Sequence, residues 1–146
     1  SRMDQEPLID FIPVARQELV VIVPPDHPLS DRTEIRLPET LDYPQILFSR
    51  RSGLRPMIDK LFLACGKQPD CIFEIDEDQT IAGFVANGFG IAVVPNMPIL
   101  ASMHLKVIHI TEANWERRFY IAYLKNRYRT PLAEQFLSYV KSHALI

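Results

Sequence analysis

Two short segments of the sequence combine residue types that suit the binding of a small anion. The segment from Ser49 to Gly53 (SRRSG) follows a predicted strand and opens a predicted helix, and it offers hydroxyls, arginines and backbone N–H groups to a carboxylate or a phosphate. The segment from Asp76 to Thr80 stands in the same position after the next predicted strand. Because the carboxyl ends of parallel strands share one edge of a sheet, where small ligands bind, we expect the two turns to lie together.

Ordinary helix capping with solvated charges explains either turn by itself. The hypothesis of a ligand site therefore depends on the two turns sharing one edge. Asp76 and Asp78 would repel an anion, so an amphoteric ligand such as an amino acid stays open beside a simple anion.

No other motif in the sequence indicates catalysis or a bound cofactor. There is no GxxxxGK[ST], GxSxG or HExxH segment, and the glycine pair at Gly88 and Gly90 follows a predicted helix, which does not fit a dinucleotide fingerprint. We expect no cofactor and no enzymatic activity because these motifs are missing, and no metal because the histidines and cysteines show no metal-ligand spacing. These residues are His27, His104, His109, His143, Cys65 and Cys71. Two cysteines are too few for a disulfide scaffold, so we expect free thiols.

The composition excludes several classes of protein. The chain has 146 residues, of which 47% are hydrophobic and 23% are charged, so disorder and a coiled coil both fit poorly. A net charge of -2 argues against a nucleic-acid interface on these residues. No apolar run approaches the ~20 residues of a membrane helix, and the first residues do not resemble a signal peptide.

The hydrophobic pattern predicts an α/β fold. From Gln45 to Pro95 it predicts the order strand, helix, strand, helix, strand, a βαβαβ unit with a parallel sheet. The predicted strands span residues 18–23, 45–48, 71–75, 91–94, 105–110 and 118–123, with a short helical turn at 38–41. The predicted helices are one with Ser52 as N-cap that ends at Gly66, one from about Asp76 to Asn87, and one that Thr130 caps with Ala133, Phe136, Leu137 and Val140 buried.

These elements, in this order, resemble the effector-binding (substrate-binding) domain of LysR-type transcriptional regulators. The resemblance covers essentially the whole chain, and its most specific part is residues 80–95 (TIAGFVANGFGIAVVP), where a helix, a glycine turn and a strand coincide with residues typical of the family. Other matching segments are residues 18–29 (ELVVIVPPDHPL), 49–55 (SRRSGLR), 66–69 (GKQP), and the tail from Arg118 to Phe136.

The resemblance implies a cytoplasmic bacterial regulator with a type 2 periplasmic-binding-protein-like effector domain of two α/β lobes. It implies that residues 1–15 are a remnant of the first lobe with a crossing segment, 16–97 the complete second lobe, and 98–146 the return crossing and the C-terminal part of the first lobe. A small-molecule effector would bind between the lobes. The effector contacts that it implies are Ser49, Arg50, Ser52, Gly53, Asp76, Asp78 and Pro95.

The resemblance also implies partners. Members of the family form homo-oligomers, bind DNA through an N-terminal winged helix-turn-helix and do not bind membranes. We expect this chain to lack those DNA-binding helices and the first elements of the first lobe. In its tail, Phe119, Ile121, Phe136, Leu137 and Val140 would then lose neighbours, and the tail would associate with a second copy or be mobile.

Three other functions compete with that of a metabolite-responsive regulator: a peroxide sensor, a solute-binding protein and an enzyme. The peroxide sensors of the family use a cysteine pair near the first helix of this lobe, but here that helix starts with Ser52 and Cys65 lies at its far end, so we reject peroxide sensing. An extracytoplasmic solute-binding protein of related fold is the main alternative. A transferase or deaminase on a two-lobed scaffold would need a catalytic pair that the two turns do not supply.

Overall fold

The computed structural model describes residues 9–112, 116–124 and 129–143. The chain divides into two compact units. Residues 18–115 form the large unit, and residues 1–17 with 116–146 form the small unit. Strand β1 (Ile9–Val23) runs from one into the other.

A mixed sheet around β1 forms the core of the large unit. β1 pairs antiparallel with β5 (Ala92–Pro95) on one side and with β6 (Lys106–Ile110) on the other, and the two-residue β2 (Glu34–Ile35) adds to β6 in parallel. Every side chain from Leu19 to Val23 has an exposed fraction of 0%. This confirms the prediction that so continuous an apolar run lies inside a sheet covered on both faces.

The predicted order from Gln45 to Pro95 is confirmed, but its pairing differs from a wholly parallel sheet. β3 (Gln45–Phe48) pairs in parallel with β4 (Cys71–Ile75). β5 meets β3 only through a parallel bridge between Gln45 and Ile91 and otherwise pairs antiparallel with β1. The predicted parallel pairing is therefore confirmed for β3, β4 and the bridge at Ile91, but it does not extend along the rest of β5.

The helices of the large unit begin and end close to the predicted positions. α1 (Leu54–Ala64) buries Leu54, Ile58 and Phe62, and α2 (Asp78–Ala86) buries Ile81, Ala82 and Val85. Gly66 follows α1 at φ +79° and Gly88 follows α2 at φ +84°, the left-handed conformation expected of glycines that end helices. The N-cap of α1 is Gly53 rather than Ser52, although the Ser52 hydroxyl accepts the Leu54 N–H at 3.2 Å.

Two 3-10 turns complete the large unit. One spans Leu37–Asp42, close to the predicted turn at 38–41, and the other spans Pro98–Ser102, which the pattern did not indicate.

The placement of β6 differs from the division inferred from the sequence. That division assigned residues 98–146 to the first lobe, whereas β6 lies in the large unit and residues up to 115 group with it. The cause is the pairing of β6 along the buried half of β1, from Val20 to Val23, which also buries Ile108 fully.

The small unit is built from the start of β1, from β7 (Glu116–Leu124), which pairs with β1, and from α3 (Pro131–Ser142). Thr130 caps α3 as predicted, since its side chain accepts the Ala133 N–H at 3.2 Å. Leu137 is buried, but Phe136 is 56% exposed, so the predicted buried stripe was wrong at that position. The side chains of Phe119 and Ile121 lie outside the described residues.

Candidate functional site

The two turns singled out in the sequence are neighbours in the large unit. The Ser49 N–H donates to the Ile75 carbonyl at 3.0 Å. This bond extends the parallel β3–β4 pairing by one residue, from Phe48 to Ser49. The turn after β3 and the turn after β4 therefore start side by side at one edge. This is the arrangement that the order of strands and helices predicted.

Side chains join the two turns directly. The Ser49 hydroxyl donates a hydrogen bond to Oδ1 of Asp76, and Arg51 Nη2 donates to Oδ2 of the same carboxylate at 2.8 Å. The Arg51 side chain is 84% exposed and the Asp76 side chain 52%, so the group lies at the surface. We expected Asp76 to repel an anion at this turn, and instead it is the partner of both donors.

Within the described residues, some backbone N–H groups of the first turn donate hydrogen bonds and others do not. The Ser52 N–H donates to the Ser49 carbonyl at 3.0 Å, and the Arg55 N–H donates to the Ser52 carbonyl at 3.2 Å. The N–H groups of Arg50, Arg51 and Gly53 have no partner among the described residues. A side chain built on Gly53 would meet nothing within 4 Å, so the space above this part of the turn is open.

The side chains of three other predicted contact residues do not join the Ser49–Arg51–Asp76 group. Asp78 is the first residue of α2, and its Oδ1 accepts the adjacent Gln79 N–H at 2.8 Å, a local cap. Pro95 is buried in β5 opposite Leu19 of β1. Arg50 lines a different surface, a cleft of about 470 Å³ between α1 and β4 that also contains Arg55, Lys60 and Cys71.

Sequence reasoning missed the role of Arg55. This residue is only 8% exposed, although it lies in the first turn of α1. Its Nη1 donates to the Phe48 carbonyl at 2.8 Å and also to Glu74, and its Nε donates to Asp59 at 2.9 Å. The i, i+4 spacing of Arg55 and Asp59 was the available signal, but it indicates an ordinary surface pair as readily.

The charge of Arg55 is secured by its partners. Burial alone would lower the pKa of the guanidinium, but its hydrogen bonds to Glu74 and Asp59 and the charges of both carboxylates outweigh that effect, so the pKa is raised above its ordinary value. Arg55 thus connects the end of β3 to β4 and α1. Its partner Phe48 lies one residue before Ser49, and its partner Glu74 lies two residues before Asp76.

The surroundings of both cysteines disfavour the thiolate form. Burial raises the pKa of both thiols, and nearby carboxylates add to the shift, Glu112 for Cys65 and Glu74 for Cys71. Both thiols are free, and a raised pKa lowers the fraction of reactive thiolate.

The described ranges contain neither a cluster of metal-ligating side chains nor a membrane-spanning helix. Within residues 9–112, 116–124 and 129–143, no group of three or more His, Cys, Asp or Glu side chains is arranged to hold a metal ion. The helices described there are also too short or too polar to cross a membrane.

Comparison with known proteins gives the class of this fold. Residues 2–145 match the profile of the LysR substrate binding domain. The chain belongs to that family, and its α/β architecture is the type 2 periplasmic-binding-protein-like fold that the resemblance implied. This match favours the regulator over the solute-binding and enzymatic alternatives.

A full-length relative has a similar sequence over part of its length. The chain is 38% identical over 135 residues to the HTH-type transcriptional regulator YybE of Bacillus subtilis strain 168. The match covers 92% of the chain and 46% of that protein. The chain thus spans less than half the length of this curated relative. The name of this relative describes it as a transcriptional regulator.

Two solved structures match almost the whole chain. The effector-binding domain of QuiR in complex with shikimate is 39% identical with a TM-score of 0.82, and the match covers 99% of this chain and 69% of that one. The CcmR regulatory domain of Synechocystis PCC6803 in complex with 2-PG is 25% identical with a TM-score of 0.81, covering 99% of this chain and 71% of that one.

Proposed function

We propose that this chain is the effector-binding part of a bacterial LysR-type regulator and that it binds a small carboxylate-bearing metabolite at the turns that begin at Ser49 and Asp76. One observation carries the proposal. The two turns lie side by side at the carboxyl ends of β3 and β4, and one of them has three backbone N–H groups without a partner among the described residues. Such groups at the start of a helix favour an anion.

The relatives support this choice of ligand class. QuiR is described with shikimate, a hydroxylated carboxylate, and CcmR with 2-PG. We infer that effector binding changes the affinity of the whole regulator for DNA, through a helix-turn-helix of the kind that the name of YybE indicates. A cytoplasmic location, with no membrane partner, is part of the same proposal.

Titration of the 15N-labelled chain with shikimate tests the site. We expect the largest amide shifts at residues 50, 51 and 53. The variant Ser49→Ala should weaken shikimate binding by about 1 kcal/mol, roughly a factor of five, because it removes the hydrogen bond that holds the Asp76 carboxylate against this turn. Ser102→Ala is the matched control, since it removes a hydroxyl that bonds only to the Ile99 carbonyl of a 3-10 turn. An absence of shifts at residues 50, 51 and 53 would exclude the Ser49 turn, and equal affinities in both variants would exclude a contribution from the Ser49 hydroxyl.

We also propose that copies of this chain self-associate through an aromatic face of the large unit. Phe73, Phe84 and Phe89 form this face, with ring centroids 5.4–6.2 Å apart, and Phe73 and Phe89 are 40% and 52% exposed. The face adjoins β4, which pairs only with β3 among the described strands and leaves its other edge open. An exposed apolar patch beside an open strand edge favours pairing with another chain.

The variant Phe89→Ser tests this face. It should lower the apparent mass of the chain in sedimentation experiments across a dilution series, while its circular dichroism stays unchanged. Leu63→Ser is the control, because Leu63 is 68% exposed but lies on α1, outside the aromatic face. An unchanged association constant in Phe89→Ser would refute this interface.

A further inference from the structure

Asp76 occupies the side-chain donors that the first turn would otherwise offer to an anion. The Ser49 hydroxyl donates to one of its oxygens, and Arg51 donates to the other at 2.8 Å. In this structure the carboxylate that sits on the Ser49 turn is therefore the protein's own. Sequence reasoning treated the hydroxyl and the carboxylate as separate features of two turns, whereas they form one group.

The donors that remain free on this turn are backbone groups. The N–H groups of Arg50, Arg51 and Gly53 have no partner among the described residues, and the space above Gly53 is open. A ligand carboxylate bound there would lie near the Asp76 carboxylate, which is hydrogen-bonded to this turn. The paired Arg51 guanidinium offsets part of that negative charge, and the remainder repels an anion weakly because the group is exposed to water.

The Asp76 carboxylate still has capacity to accept hydrogen bonds. An ionised carboxylate offers about four lone-pair positions, of which Ser49 and Arg51 use one each. A ligand hydroxyl or ammonium could bind the remaining positions without displacing either partner. Hydrogen bonds to an ionised acceptor are roughly twice as strong as neutral ones, so such a donor would offset the repulsion.

We propose that Asp76 is a specificity-determining residue, which selects effectors that carry a hydroxyl or ammonium donor close to their carboxylate and disfavours plain carboxylates. This inference rests on the proposed effector site and narrows its ligand class. It removes the difficulty that an acidic residue poses at an anion site. The carboxylate recognises the second functional group of the ligand by accepting a hydrogen bond from it.

The test compares two probes on the full 146-residue chain. Shikimate is a hydroxylated carboxylate, and benzoate is a carboxylate without another donor. Dissociation constants come from the amide shifts of residues 49–53 in the unaltered chain, in Asp76→Asn and in Glu77→Gln. The control Glu77→Gln removes the same charge one residue further along, from an exposed side chain that makes no cap hydrogen bond to α2.

We expect the unaltered chain to bind shikimate more tightly than benzoate. In Asp76→Asn the affinity for benzoate should rise about two- to five-fold relative to that for shikimate, the range expected for one exposed charge interaction. Glu77→Gln should leave the ratio of the two affinities unchanged. Dispersed amide spectra of both variants would show that they fold.

The outcomes separate this inference from the proposed function. If both probes bind at residues 49–53 and the affinity ratio is the same in all three proteins, or moves equally in Asp76→Asn and Glu77→Gln, the selective role of Asp76 is refuted while the effector site stands. If neither probe shifts these amides in any of the three proteins, the effector site itself is refuted, and the role of Asp76 with it.

Discussion

Arg55 Nη1 donates to the main-chain carbonyl of Phe48 at 2.8 Å, which fixes the first turn of α1 to the last residue of β3. The same guanidinium bonds to Glu74 in β4 and to Asp59 in α1. A buried arginine therefore holds together the three elements from which both site turns emerge. The geometry of the Ser49 turn depends on this cross-link as well as on the strand pairing.

Replacing Arg55 should destabilise the large unit. In Arg55→Met the Phe48 carbonyl loses a partner in a buried environment, which costs about 1–3 kcal/mol of the free energy of unfolding. Urea denaturation followed by circular dichroism measures this loss. Arg32→Met is the comparison, because Arg32 pairs with Glu39 at 3.0 Å in an exposed position, where water screens the pair, so its loss should cost clearly less than the loss of Arg55. Similar losses in the two variants would contradict the role given to Arg55.

Gly90 is required by both conformation and space. Its φ is +151°, and a Cβ there would lie 3.1 Å from the Pro44 carbonyl oxygen and 3.1 Å from the Ile72 side chain. We expect Gly90→Ala to destabilise the large unit by about 1–3 kcal/mol through this strain. In contrast, Gly83→Ala lies within α2 with nothing within 4 Å of the new methyl group, so it should stabilise the helix by about 0.5–1 kcal/mol. Thermal unfolding of the two variants checks both signs.

Much of this fold follows from local sequence signals. The continuous apolar run from Leu19 to Val23, the apolar stripe of α1 and the glycine at Gly66 each allow one structure locally, and each was predicted correctly. The partners of β5 and β6 could not be predicted in this way. Pairing is decided by which apolar strand edges meet in three dimensions, and periodicity along the chain carries no information on that.

The candidate site was predictable at the level of its turns but not of its side chains. The βαβ order places Ser49 and Asp76 at one edge, and the structure confirms that adjacency. Which arginine joins them depends on the direction of each side chain as the chain leaves β3. Arg51 contacts Asp76, whereas Arg50 lines the cleft beside α1, and a run of two arginines does not indicate that difference.

His27 makes the stability of the large unit dependent on pH. Burial lowers the pKa of its imidazole below 6.5, against a smaller opposing effect of Asp26, and Nδ1 accepts the Leu29 N–H at 3.1 Å. Because the folded-state pKa is below the unfolded one, the stabilisation is complete above about pH 6.5 and is lost as the pH falls through the folded-state pKa.

The variant His27→Asn tests this dependence. It keeps a side-chain acceptor but does not titrate, so its free energy of unfolding should fall less between pH 7.5 and pH 5.5 than that of the unaltered chain. His104→Asn serves as the control, since it removes an exposed histidine elsewhere in the large unit. An equal pH dependence in the unaltered chain and His27→Asn would disprove the contribution of His27.

The two sides of α3 should respond differently to substitution. Leu137 is buried, with an exposed fraction of 8%. An outer stripe of the same helix is 75%, 56% and 62% exposed at Leu132, Phe136 and Tyr139. Leu137→Ala should cost about 2 kcal/mol or more, because it removes a buried side chain and leaves a cavity. Amide exchange across α3 measures that loss as faster exchange. Phe136→Ser should leave the exchange rates unchanged.

The outer stripe of α3 also gives the expectation of self-association through the tail a specific test. If a second copy covers this stripe, Phe136→Ser weakens association in light scattering across a dilution series, and the effect adds to that of Phe89→Ser because the two residues lie in different units. If association depends on the aromatic face alone, only Phe89→Ser weakens it. A concentration-independent monomer with a fully protected α3 would show that neither surface needs a partner, and it would refute association through either one.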